Sequence, residues 1–543
     1  MLKEYIVSLK RDVDYNLFWS QMESETDGLL FVPNRRVDIV NNRDGSLRSC
    51  HYSLTDEEAD TLKNDDKVYS VEIPPEQRTD IQIGIRARQT GSFNKPVTSN
   101  GANINWGLVR VSNNNNVFGA NLSPTVPGYD YFLDGTGVDV VIQDSGLEVA
   151  HPEFTDAKGN SRVQQIDWYT ASGLGGTQSG NHYRDYDGHG THVAGIVAGK
   201  TFGWAKNANV FSIKISGLEG TGDSSTGISI TDCFDVIKLW HRNKPVEAST
   251  GKKRPTIVNM SWGYTTSITA TNITAINYRG NSYTSTQISS YQKKRDFGLI
   301  PFGTYNAPLN NDVVTYTTST RVGSVDTDIQ ELIDEGVHVV IAGGNHYTKM
   351  DVADGADFNN YITAGSTYYW HRGSSPLDDE AFKVGCIDSS VRAANLDQKA
   401  EFSNSGDAID MWAPGSNIMS CTSNTNRFSA VSYNLDTGFK QVVLSGTSQA
   451  APQVCGVLAT FLQMNPGISP RQLKIWATNT ASVSGVIYNT GNVNLNDFQN
   501  YRSTLSTKNK FLYNPVNALA SQSGGAVGLT GPLTLTNGTI TLT

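Results

Sequence analysis

Leu444-Ser445-Gly446-Thr447-Ser448-Gln449-Ala450-Ala451-Pro452 is the stretch whose reading decides the rest of this chain. A serine follows Gly-Thr and precedes small residues. Val454, Val457, Leu458, Phe461 and Leu462 then recur at helical spacing. Ser448 is thereby predicted in the first turn of a helix, whose N-terminal amides favour developing negative charge. Pro452 reads as part of that first turn, where its missing N–H would be unpaired anyway. The small residues beside Ser448 let the helix approach a sheet closely.

Two earlier segments give Ser448 its meaning. Val138-Asp139-Val140-Val141-Ile142-Gln143-Asp144-Ser145-Gly146 reads as a buried parallel strand. Asp144 sits just past its C-terminal end, where sites collect in open α/β sheets. In Asp187-Gly188-His189-Gly190-Thr191-His192-Val193-Ala194-Gly195, His189 opens a second helical pattern rich in small residues. Taken singly, Asp144 reads as a turn residue, His189 as a loop histidine and Ser448 as a helix N-cap. Together they supply an acid, a base and a hydroxyl. A serine hydroxyl attacks poorly unless a base removes its proton, and imidazole, with an ordinary pKa of roughly 6.5, does so near neutral pH. A buried carboxylate holds the ring in the useful tautomer. Val337-His338-Val339-Val340-Ile341-Ala342-Gly343-Gly344-Asn345 is a further buried strand, ending in two glycines and an amide. His151 and His192 are expected to make packing or backbone contacts, and His346 lies beside the site without an evident role.

With these motifs in the order Asp, His, Asn, Ser, the chain resembles the subtilisin-like serine proteases. The resemblance implies an α/β, three-layer fold with a mainly parallel sheet and a serine endopeptidase activity. It assigns Ser448 as nucleophile, His189 as general base and acid, Asp144 as the orienting carboxylate and Asn345 as oxyanion donor. Ser261, Trp262 and Gly263 match the family strand that pairs with a bound peptide, and Gly220, Thr221 and Gly222 match the opposite edge. Glu219 and Asp223 flank that edge; they read first as a solvated rim and second as a preference for basic side chains. Residues 200–214 follow the histidine helix without an inserted calcium loop, which is similar to the proteinase K branch. The triad needs no cofactor, and calcium would be structural. Asp388 is a weak candidate metal ligand, since a loop carboxylate is more often merely solvated.

The resemblance divides the chain. Residues 1–78 resemble the family's inhibitor propeptide, a small α+β ferredoxin-like domain. Strands are predicted at Tyr5–Leu9, Arg36–Val40, Arg48–Tyr52 and Lys67–Ile73, with helices at Tyr15–Met22 and after Thr55, capped by Thr55 and Glu58. The bland alternative is an α+β adaptor. Residues 79–105 read as a linker and processing region, and 106–520 as the catalytic domain. Insertions at about 264–326 and 346–382 depart from the family, the second where its primary specificity pocket stands, with Gly373-Ser374-Ser375-Pro376 part of the wall. The tail, 521–543, ends in the near-alternating Leu533-Thr534-Leu535-Thr536, a docking strand or a frayed end.

Composition narrows the function classes. The chain has 543 residues, enough for more than one domain, and a net charge of -9 with no basic stripe, so no nucleic-acid partner is expected. No apolar run reaches the roughly 18 residues of a membrane span, and the first residues lack a signal-peptide core. Synthesis inside the cell is expected, with virion association an open possibility. The five cysteines lack zinc spacing; one bridge, such as Cys386–Cys421, is compatible with the sequence. The expected partners are a polypeptide substrate and the chain's own propeptide in cis. The competing expectation is a non-enzymatic structural or virion-assembly protein that keeps the fold.

Overall fold

The computed structural model describes residues 2–23, 37–85, 105–116, 131–295, 297–302, 312–391, 396–488, 508–514, 533–536 and 539–542. Its centre is a nine-stranded sheet. From Met411–Pro414 the order runs through Phe382–Val391, His338–Ala342, Thr256–Met260 and Asp139–Asp144 to Asn209–Lys214. All these neighbours pair in parallel. Strand alternation sorts the apolar residues onto two faces. Val140 and Ile142 pack with Val193, Val197, Val454 and Leu458 of the His189–Ala198 and Thr447–Met464 helices. Val141 packs on the other face with Val236 and Ile329 of the Ile230–Asn243 and Gly323–Asp334 helices. These are the three layers expected from the near-continuous apolar strands.

The N-terminal unit has its own antiparallel sheet, ordered Asp38–Asn41, Ser49–Leu54, Lys3–Leu9, Val68–Glu72. Two helices interrupt the strands in β-α-β-β-α-β order. Asp14 caps Tyr15–Met22, and Thr55 with Glu58 forms the predicted capping box on Asp56–Lys63. Val7, Phe18, Met22, Tyr52, Leu54 and Leu62 fill a separate core. Arg36, the predicted start of the second strand, and 86–104, most of the predicted linker, lie outside the described residues.

The two insertions fold together. Ile273–Tyr278, from the first insertion, pairs antiparallel with Tyr361–Ala364, from the second, between Asn281–Thr284 and Thr367–Trp370. Ile276, Leu299, Ile362 and Tyr369 form the core beneath them. The first insertion ends before Asp326, because the helix leading to His338–Ala342 starts at Gly323.

Three sequence readings are corrected. All five cysteines are free and buried, so Cys386 and Cys421 are not bridged. Pro452 is the sixth residue of its helix and not in the first turn. Leu533–Thr536 pairs with Thr539–Leu542, a hairpin on its own tail.

Candidate active site

Asp144 ends its strand with the carboxylate buried. Its Oδ1 accepts from the Ser145 amide and from His189 Nδ1, both at 2.8 Å. A carboxylate oxygen at Nδ1 favours the tautomer that carries its proton there, in which Nε2 is the accepting nitrogen. Nε2 is buried and has no hydrogen-bond partner among the described residues. His189 is the first residue of its helix, which crosses the Asp144 loop so closely that a Cβ on Gly190 would lie 2.2 Å from the Gly146 carbonyl. Only glycine permits that approach.

Ser448 is the second residue of the Thr447–Met464 helix and fully buried. Its Oγ donates to the Ser261 carbonyl at 2.9 Å, while Ser261 Oγ donates back to the Ser448 carbonyl at 3.1 Å. Pro452 explains the second bond. A helix normally satisfies the Ser448 carbonyl with the amide four residues on, and Pro452 has none. The misplaced proline thus ties the predicted nucleophile to the predicted substrate strand. Asn259 and Gln143 extend the tie: Asn259 Nδ2 donates to Ser261 Oγ at 2.8 Å and Trp262 Nε1 to Gln143 Oε1 at 3.1 Å.

Asn345 lies beyond the Gly343-Gly344 turn. Its Oδ1 accepts from Thr447 N and Thr447 Oγ1, both at 2.9 Å. With the oxygen so engaged, Nδ2 is the end that can donate. Thr447 Oγ1 also accepts from Gly344 N at 2.9 Å, so one threonine sets both the amide and the turn that carries it.

The predicted substrate strand has a partner within the chain. Trp262 pairs with Ile85, Gly263 with Gly84, Tyr264 with Ile83 and Thr265 with Gln82, antiparallel. Ser261, the next position toward the site, holds the Ser448 hydroxyl. Gly220, Thr221 and Gly222 form a turn, with Gly220 and Gly222 at φ +87°, and no strand pairing joins them to 82–85 among the described residues. Asp223 is bound to Lys214 at 2.6 Å and Glu219 accepts from the Gly217 and Gly227 amides, so this rim stabilises its own loop. Asp388 accepts from Ser389 Oγ at 3.4 Å. Among the described residues it belongs to no group of three His, Cys, Asp or Glu side chains that could hold a metal ion.

His192 and His151 do make backbone contacts. His192 Nε2 lies 3.2 Å from the Ile418 carbonyl and 3.1 Å from that of Val442, and burial lowers its pKa to about 3. His151 Nε2 lies 3.0 Å from the Lys440 carbonyl. The sequence reading missed Asp185. Its carboxylate accepts from Ser145 Oγ, Gly188 N and Thr191 N at 2.8–2.9 Å, binding the Asp144 loop to the start of the His189 helix. The available signal was an acid four residues before the histidine, in a stretch that otherwise reads as loop. Asp187 was also passed over. Burial pushes its carboxyl above the usual carboxylate range, although Arg427 Nε stands 2.6 Å away.

Comparison with known proteins adds a family match. The model of the subtilase family matches residues 135–511. The chain is similar to alkaline serine exoprotease A of Vibrio alginolyticus, 25% identical over 487 residues, covering 89% of this chain and 63% of that one. It is also similar to a subtilisin-like protease of Coccidioides posadasii, 29% identical over 414 residues, covering 73% and 59%. Among solved structures, fervidolysin from Fervidobacterium pennivorans, a keratinolytic enzyme related to subtilisin, aligns with a TM-score of 0.49 at 14% identity. That alignment covers 96% of this chain and 61% of fervidolysin. The chain spans about three-fifths of the length of these curated relatives.

Proposed function

Because the chain belongs to the subtilase family, we propose that it is a serine endopeptidase made as a self-processing zymogen. One observation carries this reading: His189 is bound to Asp144 at Nδ1 and leaves Nε2 without a partner among the described residues, with Ser448 at a helix N-terminus on the same sheet edge. Rotation of the Ser448 side chain from the Ser261 carbonyl toward Nε2 gives His189 its proton. Oγ then attacks the peptide carbonyl, and the imidazolium returns the proton to the leaving amine. Water, activated by the same imidazole, cleaves the acyl-enzyme. The substrate lies as an extended strand on Trp262–Thr265, with Gly263 admitting its backbone.

Asn345 Nδ2 is the proposed donor to the oxyanion. Asn345→Leu keeps the size and removes the donor. It should lower kcat by roughly 10²–10³, the magnitude of the corresponding loss in subtilisin, with little change in KM. A raised KM with unchanged kcat in steady-state assays would mean that Asn345 contributes uniform binding instead.

Residues 1–78 are the proposed inhibitor. The antiparallel pairing of 82–85 with the substrate strand supports this, since it is the pairing a bound peptide would make. Glu76 also accepts from Ile230 N at 3.0 Å and Glu72 from Ser324 N at 2.9 Å, setting two carboxylates at the starts of two body helices. Counted in sequence, the bond one position beyond Ile85 is Arg86–Ala87, and that is the cut we expect. N-terminal sequencing by mass spectrometry should find Ala87 in the wild type and full-length chain in Ser448→Ala. Cutting of the Ser448→Ala protein on its own, or full activity with 1–78 still attached, contradicts the zymogen reading.

A further inference from the structure

The turn at 41–48 joins two strands of the N-terminal unit and reads in sequence as an ordinary polar hairpin loop, Asn41-Asn42-Arg43-Asp44-Gly45. In the structure it is a hook. Arg43 adopts φ +48°, a left-handed conformation that a non-glycine residue rarely takes. That conformation sends its guanidinium between the Ile230–Asn243 and Gly323–Asp334 helices. There Nη2 donates to Asp235 Oδ2 at 3.1 Å, to Asp328 Oδ1 at 3.0 Å and to the Thr231 carbonyl at 3.4 Å, while Nε donates to Asp235 Oδ2 at 3.2 Å. The Arg43, Asp235 and Asp328 side chains are 1%, 4% and 0% exposed. A Cβ on Gly45 would lie 2.6 Å from Asp235 Cβ, so the turn is seated as closely as glycine allows. Glu331 Oε1 accepts from Ser46 Oγ, Leu47 N and Arg48 N at 2.8–3.0 Å, closing the other side.

The body alone does not balance these charges. Asp235, Asp328 and Glu331 face Lys238, which pairs with Glu331 and lies 3.4 Å from Asp235. Without Arg43, Asp328 loses its ion-pair partner in a buried place, and among the described residues its Oδ2 accepts no hydrogen bond. We infer that the cleft between these two helices is a guanidinium-binding site, distinct from the peptide-binding edge, whose ligand is Arg43 presented on a left-handed turn. It anchors the N-terminal unit to the body separately from the 82–85 strand and keeps it bound after the linker is cut. This inference rests on the proposal that residues 1–78 act as a separable inhibitor. Its logic is electrostatic: a buried charge left without its partner weakens an interface far more than the net value of the pair.

The test avoids the chain's own chemistry. In full-length Ser448→Ala, a recognition sequence for a site-specific protease is placed between residues 86 and 104 and cut. The dissociation constant of the two pieces is then measured by size-exclusion and titration. Arg43→Met should weaken retention about a hundredfold. Asp235→Asn/Asp328→Asn, made on the body, should weaken it by a similar factor through an uncompensated Arg43. The triple variant should be no weaker than either, because the losses describe one interaction. Retention of Arg43→Met within threefold of the parent, or losses that multiply to about ten-thousandfold in the triple variant, overturns the site. An inactive wild type would count against the peptidase reading and leave this measurement standing.

Discussion

Ser448→Ala should abolish peptide hydrolysis, with a fall in kcat on the order of 10⁶, the cost of removing the nucleophile in subtilisin. Loss of fold will not be the cause. The hydroxyl makes a single bond of 2.9 Å to the Ser261 carbonyl, and deleting it costs about 1 kcal/mol. Alanine also suits a helix that already carries Ala450 and Ala451. The variant should melt within a few degrees of the wild type and hold the full-length chain, with residues 82–85 still paired to the substrate strand. Hydrolysis by pure Ser448→Ala at more than a thousandth of the wild-type rate would show that another group attacks. The structural-protein alternative predicts no difference between the two proteins.

Asp144→Asn should lower kcat by roughly 10⁴, the fall known for this exchange in a Ser-His-Asp triad. The geometry gives the reason. Asp144 Oδ1 accepts from both Ser145 N and His189 Nδ1 at 2.8 Å. An asparagine can keep Oδ1 on the Ser145 amide, but its amide nitrogen then competes to donate toward the ring. The ring answers by moving its proton to Nε2, the atom that must accept from Ser448. Substrate binding is untouched, so KM should stay within about threefold. Steady-state kinetics at neutral pH check this; a variant within tenfold of wild type would mean that Asp144 does not set the tautomer.

The elements that read well from sequence are those fixed by local physics. Val138 to Ile142 and Val337 to Ile341 are apolar and β-branched because parallel strands are buried on both faces, and they fold as such. Thr55 and Glu58 cap their helix within one turn. Asp144 and His189 could be paired from chain order because each sits at the end of an element facing the same sheet edge. What stayed hidden depends on distant partners. Ile273–Tyr278 and Tyr361–Ala364 are short polar-rich strands that pair with each other over a core drawn from both insertions. Arg43 looks like a turn residue until the Asp235 and Asp328 carboxylates are placed around it. Pro452 obeys a helix-start rule in isolation, yet in place it frees the Ser448 carbonyl for Ser261. Asp185 has no motif of its own and acts through hydrogen bonds from Ser145, Gly188 and Thr191 in two segments.

The central claim is that His189 and Asp144 activate Ser448. The most direct measurement is reaction of the purified wild type with a fluorophosphonate probe, followed by peptide mapping. The probe needs an activated serine, so it should label Ser448 stoichiometrically once the N-terminal unit has been released, and His189→Ala freed of that unit by a protease added in trans should take no label. A folded, processed wild type that takes no label, or takes it on a serine other than Ser448, would contradict the account.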